Sequence, residues 1–515
     1  MMMMVSKRGR EKRGWNRACL STTLRASSTR LERVSALHTM YHVLWTDDIV
    51  REIFTYLRPA LNAPERPSHE DTLTLFNTAL VCKHFSCHAL DALWSVLYDL
   101  KPLVDLIPNT QQVNFEEIEP GGGEEIILKD TLCEQDLHEF ERYSHRIKAY
   151  YEEEGSEPTI IRMSAIQELL HCLGRQYLLP KLRILSISER LRPNHYSLFN
   201  PSLKWLLFNP PTREEAPSLL SHLARTAPHL EHITVSQTPL ESNSFLVLER
   251  FPSLKSLETV DEIHISPESF AFTFPFAERL VSWKVDRLRV SGLIQAQVDA
   301  GWSNPELSSL EYLEICCIDT PSAILSIFTN LALPSLRTFS FCAGPYWFDK
   351  REECLAMFSS LFGKKRSLRH LTVNVSYSMM KQRSTLDVGY LLQSAVPQDL
   401  ETLDVRIPML QSFCKPSLLA VVRVFPHLKK LTVVTSYDEP FSFRDLAALA
   451  HHMPKLMYLD IGISGKVQPK VVASTIPLCS HRLENLSISN MNTHDPVMFV
   501  TRTINSVKKS KDDYY

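Results

Sequence analysis

The sequence predicts an α/β protein in which a small N-terminal helical bundle is followed by a repeat solenoid of about twelve units. Three observations carry that prediction. Apolar residues recur at helical spacing between residues 43 and 97. Beyond residue 165 one short pattern, Pro-x-Leu-x-x-Leu-x-aliphatic, keeps returning. The composition is that of a globular chain: 515 residues, 44% hydrophobic, 22% charged and a formal net charge of -2. That length is enough to bury one or more large cores. The near-neutral balance supplies no global field for nucleic acid or an acidic membrane.

Residues 1–40 come first and are basic: nine Lys or Arg stand against Glu11 and Glu32. They read as a disordered tail. Its KRGREKR cluster (Lys7 to Arg13) also fits a nuclear signal, the whole segment loosely resembles a transit peptide, and Met40 is an alternative start.

Residues 41–100 read as the helical domain. In VLWTDDIVREIFTYL the residues Ile49, Val50, Ile53, Phe54 and Leu57 make one stripe at period 3.6, with Thr46 or Asp47 placed to cap the start. Pro59, Pro64 and Pro67 break the next stretch into a loop. A second helix is expected through Leu73, Phe76, Leu80 and Val81, and a third through Phe85, Leu90, Leu93, Trp94 and Leu97. Residues 101–165 read as an acidic linker plus a helix. The acidic, glycine-rich FEEIEPGGGEE (Phe115 to Glu125) is expected to be a mobile linker rather than an anion site, because carboxylates flanking the glycines would repel phosphate, and residues 131–149 place Leu137, Phe140, Tyr143 and Ile147 on one side.

Residues 166–507 are assigned to the solenoid and 508–515 to a charged tail. The leading leucines of the twelve copies are Leu182, Leu203, Leu230, Leu254, Leu280, Leu310, Leu336, Leu368, Leu400, Leu428, Leu456 and Leu483. Their gaps run from 21 to 32 residues, the spacing of leucine-rich repeats. Each core is expected to be a short strand with its leucines turned inward, and stretches such as PSLLSHLARTA and PSLLAVVRVFP to be helical covers. No unit buries its face alone, so neighbours must stack.

Motifs for chemistry are missing. The chain has no GxSxG, HExxH, GxxxxGK[ST] or GxGxxG, and glycine is scarce at 14 residues, so no catalytic residue and no cofactor are expected. Eleven scattered cysteines without a CxxC pair suit reduced thiols in a cytoplasmic or nuclear protein. ALVCKHFSCHALDALW (Ala79 to Trp94) packs Cys82, His84, Cys87 and His88 together. His84 and His88 share a helix face, but Cys82 and Cys87 lie on other sides and no second ligand pair follows at finger spacing, so no metal is expected.

The same stretch carries a resemblance. Leu44 to Leu97 resembles an F-box of the fungal F-box-like type. DDIVREIFTYL matches its first helix, and Val81, Cys82, Lys83, Phe85, Leu93 and Trp94 match its Val-Cys-Lys/Arg, aromatic and Leu-Trp positions. Asp136 to Tyr150 resembles the helix that follows in related chains. The resemblance implies docking on the adaptor subunit of a cullin–RING (SCF-type) E3 ubiquitin ligase, with the repeats recognising a target protein. The adaptor contacts expected are Leu44, Ile49, Ile53, Phe54, Leu75, Val81 and Phe85.

In the repeats, the third and fifth positions of LxxLxΦ point away from the core on a concave sheet. They include His232, Lys284, Tyr312, Glu314, His370, Asp404, Lys430, Tyr458 and Asp460, with Arg406 just beyond, and are the expected target contacts. Mixed charge with Tyr and His suits a protein partner rather than nucleic acid, and no membrane span is expected. The alternative is a non-ligase interaction scaffold whose bundle merely caps the repeats, since Leu44-Trp45-Thr46 replaces the family's Leu-Pro start.

Overall fold

The computed structural model describes residues 46–57, 61, 66–108, 110–114, 124–128, 132–152, 160–210, 212–237, 240, 242–265, 276–290, 306–318, 321–343, 351–364, 367–375, 399–407, 424–435, 453, 455–463 and 485–490. They fall into two compact units: a helical one ending at Leu93, and a second holding Leu61 and everything from Trp94 on. The expected tails, 1–40 and 508–515, lie outside the described residues.

The helical unit contains α1 (Asp47–Leu57), α2 (His69–Ala79) and α3 (Lys83–Leu93). Asp47 and Asp48 fill the first turn of α1, where carboxylates complement the helix dipole. Ser68 caps α2, its Oγ accepting the Asp71 N–H at 3.1 Å. The core is small: Val50, Phe54, Leu75, Ala89 and Ala92, with Leu57, Ala79, Phe85 and Leu93 packed against it. Two expected stripes are corrected here. In α2 the buried residue is Leu75, while Leu73, Phe76, Leu80 and Val81 are exposed. In α3 small alanines face inward, letting the helices approach, and Trp94 and Leu97 leave the helix for the second unit.

Among the described residues, the second unit is built on a parallel sheet of fourteen strands. Its first two strands are β1 (Val96–Leu97) and β4 (Ala149–Tyr151). Twelve more follow: β6 (Ile184–Arg190), β7 (Trp205–Asn209), β8 (His232–Val235), β9 (Ser256–Ile265), β10 (Ser282–Val290), β11 (Tyr312–Ile318), β12 (Thr338–Ala343), β13 (His370–Val375), β14 (Thr402–Ile407), β15 (Lys430–Thr435), β16 (Tyr458–Ile463) and β17 (Asn485–Asn490). Each of these twelve begins two residues after one of the leading leucines. The chain therefore has the expected long parallel sheet of leucine-rich-repeat type.

Turn chemistry explains the motif. The N–H of Leu203 donates to the Asn200 carbonyl, Leu254 to Phe251, Leu336 to Leu333 and Leu428 to Phe425, at 3.1 to 3.4 Å. Where a copy carries the proline, as at Pro201, Pro252, Pro334 and Pro426, it thus sits second in a reverse turn, where its fixed φ costs nothing. The next residue begins the ladder: the N–H groups of Arg369 and His370 both donate to the Arg337 carbonyl, at 2.8 and 2.9 Å. Leu182, Leu203, Leu230, Leu310, Leu400 and Leu428 are fully buried. Covers include α7 (Ala216–Thr226), which buries Leu219, Leu220 and Leu223, together with α8 (Ser242–Leu248), α9 (Pro321–Asn330) and α10 (Arg351–Lys364). Most of the second expected cover, 416–423, lies outside the described residues.

The stretch 101–165 differs from the expected linker plus helix. A short α4 (Lys101–Val104) precedes β2 (Thr110–Asn114), which pairs antiparallel with β3 (Glu124–Leu128). β3 in turn pairs parallel with β5 (Ile160–Ile161), leading into α6 (Met163–Cys172). The glycines between β2 and β3 lie outside the described residues. The expected helix shrinks to a 3-10 turn (Glu134–Leu137) and α5 (His138–Ser144), because Ala149, Tyr150 and Tyr151 are drawn into the main sheet between β1 and β6. Buried aromatic strand residues gain more there than on a half-exposed helix. The sheet thus starts well before residue 166.

Candidate functional site

On the helical unit, the exposed apolar residues fall at helical spacings. Ile49, Ile53 and Tyr56 recur at i, i+4 and i+7 along α1, and Leu73, Phe76 and Leu80 at i, i+3 and i+7 from α2 onward. Ile49 is 37% exposed, Ile53 43% and Val81 67%. Two of the expected adaptor contacts lie inside instead: Phe54 is 6% and Leu75 1% exposed. These two hold the surface in shape and are not on it. Phe85 is half-buried, its ring meeting Phe54 edge-on at 6.3 Å. Leu44 lies outside the described residues. A unit with so few core side chains retains large apolar groups at its surface, and patches of that kind mark interaction sites.

On the sheet, register brings the expected target residues into two rows. His232, Tyr312, His370, Lys430 and Tyr458 occupy the first position of their strands, joined through Ser256, Ser282, Thr338 and Thr402. Lys284, Glu314, Asp404 and Asp460 occupy the third, with Ser340, Thr372 and Thr432 between. His232, Arg406, Lys430 and Tyr458 are exposed, and Lys284, Tyr312, Glu314, His370 and Asp460 half-buried. Asp404 is buried, which corrects its reading as a free contact: its two oxygens accept Arg406 Nε at 2.9 Å and Nη2 at 3.0 Å. Asp404 therefore positions Arg406, which presents the charge.

Glu258 belongs to the same row and was not singled out by the sequence reading, although its place in FPSLKSLETV is the same as that of Glu314 in its own copy. It pairs with Lys284 at 2.7 Å. Burial opposes the Lys284 charge, but the hydrogen bond and charge of Glu258 hold its pKa above the ordinary lysine value. The Tyr312 hydroxyl donates to Glu314. Burial first, then that bond, pushes its pKa up, so Tyr312 stays a neutral donor. The result is a row of interlocked donors and acceptors on rigid strands.

Further ion pairs join residues that stand just before successive strands. Glu231 receives Lys204 at 2.6 Å and Lys255 at 2.7 Å. Glu401 receives Arg369 and Lys429, both at 2.6 Å. The bonds from Lys204 and Lys255 hold Glu231 down to about 2. These ties link successive repeats at the surface. Among the described residues, one set of side chains, Asp47, His84 and His88, has donor atoms grouped closely enough to share a cation. No helix among the described residues is long and apolar enough to cross a membrane.

No family model matches the chain, and no curated protein matches it. Solved structures do. An internalin from Listeria monocytogenes is 11% identical over 76% of this chain and 98% of its own, with a TM-score of 0.33. The structure titled Rad7 and Elc1 complex in yeast is 16% identical over 61% and 85%, with a TM-score of 0.32. The TLR13–ssRNA13 complex is 14% identical over 69% and 51%, with a TM-score of 0.39. At these TM-scores the architecture rests on this chain's own register and leucines.

Proposed function

We propose that this protein is a substrate-recognition subunit of a cullin–RING (SCF-type) ubiquitin ligase, its helical unit docking on the adaptor and its sheet face holding a target protein. The observation that carries this reading is the exposure of Ile49, Ile53 and Val81 on a unit that also matches the F-box-like residue pattern. Apolar side chains at such a surface gain free energy only when a partner covers them. The target side is supported by the two register rows, one carrying His232, Tyr312, His370, Lys430 and Tyr458 and the other Lys284 among the acids Glu258, Glu314 and Asp460. The chain contributes no reacting group. It raises the effective concentration of the target at the ubiquitin-charged enzyme.

The test is a pull-down with purified adaptor, comparing wild type with the double variant Ile53→Asp, Val81→Asp. Both positions are exposed, so circular dichroism of the variant should match wild type. Capture by wild type and loss in the folded variant is the expected outcome. A folded wild type that captures no adaptor overturns the proposal and leaves an interaction scaffold.

A further inference from the structure

The Cys/His-rich stretch on α3 gains a third group only in the folded unit. His84 and His88 stand one helical turn apart on α3, and the start of α1 brings Asp47 to them from 37 and 41 residues away. One donor atom from each of the three lies within 4.8 Å of the others. His88 Nε2 is 2.7 Å from Asp47 Oδ1. The two imidazole rings meet at 5.7 Å, nearly perpendicular, and the His88 ring stacks on Phe54 at 6.2 Å. The carboxylate is divided in its duties: Oδ2 accepts Arg51 Nη2 at 2.8 Å, while Oδ1 meets His88.

We propose that Asp47, His84 and His88 form a binding site for a divalent transition metal of the zinc type, clamping the start of α1 to α3. Two imidazole nitrogens and one carboxylate oxygen are a donor set zinc accepts, with an open fourth position. Donors on a tetrahedral zinc stand about 3.3 Å apart, from metal–ligand distances near 2.0–2.1 Å. The Asp47–His88 contact lies inside that separation and the outer bound of 4.8 Å lies beyond it. Asp47 is more than half exposed, so its side chain has room to settle. Arg51 fixes the carboxylate as an outer partner, and Phe54 fixes the His88 ring. Cys82 and Cys87 take no part. A metal takes an imidazole nitrogen only in its unprotonated form, so any proton on the ligating nitrogens would pass to solvent as the metal binds.

The experiment uses the full chain, freed of metal with chelator, and Zn²⁺ alone as the probe. Calorimetric titration and thermal unfolding are run on wild type, His84→Gln and Asp47→Asn, each first checked for fold by circular dichroism. One equivalent bound, a raised unfolding temperature, and affinity lowered about ten-fold or more in each folded variant are expected. Co²⁺ then reports the donors. A spectrum without a sulfur charge-transfer band supports the site, and such a band places the metal on cysteine and overturns it. Failure of the folded wild type to bind Zn²⁺, or affinity unchanged by both substitutions, also overturns it. Adaptor capture is read separately, so the two proposals stand or fall apart.

Discussion

At the scale of single residues, Asn200 shows what a buried polar group does between repeats. It is fully buried. Its amide nitrogen donates to the carbonyls of Leu179, Leu182 and Leu198 at 2.9, 3.3 and 3.3 Å, and its oxygen accepts the Ser202 N–H at 2.7 Å. Asn200→Asp puts a second acceptor where three carbonyls need a donor. We expect a loss on the order of 2–4 kcal/mol at neutral pH, with partial recovery in acid as the carboxyl gains a proton able to donate. Urea unfolding of the variant at two pH values checks it, and an unchanged midpoint at neutral pH would refute it. The sequence marks Asn200 only as the residue before a repeat proline. Its three carbonyl partners come from residues 2, 18 and 21 positions earlier, so its role was not legible.

At the scale of elements, neighbours in sequence play opposite parts. Leu400 is fully buried beneath the start of β14, while Glu401 lies at the surface between Arg369 and Lys429. Leu400→Ala removes packed methyls and should cost about 2–5 kcal/mol. Glu401→Gln removes exposed ion pairs and should cost no more than about 1 kcal/mol. Hydrogen exchange of β13 to β15 separates the two, since only the first should unprotect those strands. Bonds from Lys429, then Arg369, lower the Glu401 pKa. Its contribution is therefore present above the ordinary glutamate range and fades as pH falls through the lowered value. The twelve strands from β6 to β17 were legible because a leucine at fixed offset marks each of them, whereas β1 to β5 carry no such mark. The misread elements were α2 and α3, whose expected stripes are not the faces turned inward, the linker, which holds β2 and β3, and 131–149, where a strand displaced the end of the expected helix.

At the scale of the molecule, the chain is two units of unequal security. The helical one rests on a handful of core residues, while the solenoid core is one continuous cluster from Leu97 to Leu459. Phe54→Asp buries an unpaired charge in the small core and should unfold it, removing helical signal and any adaptor capture. The solenoid should keep its own unfolding transition, because its repeats draw stability from each other. Two-wavelength thermal melts read this. Loss of both transitions together would show that the solenoid depends on the helical unit.

The repeat is written in the chain: twelve leucines at 21 to 32 residue gaps imply twelve stacked strands, since no single strand buries its face alone. Local pattern also determined the three short helices, because period and breakers act within a few residues. Long-range packing chose which apolar stripe of each helix turns inward, where the sheet begins, and that Asp404 pairs with Arg406. It alone carried Asp47 to His84 and His88. Those outcomes depend on groups distant in sequence competing for the same buried space or the same donor, and one-dimensional spacing does not record that competition.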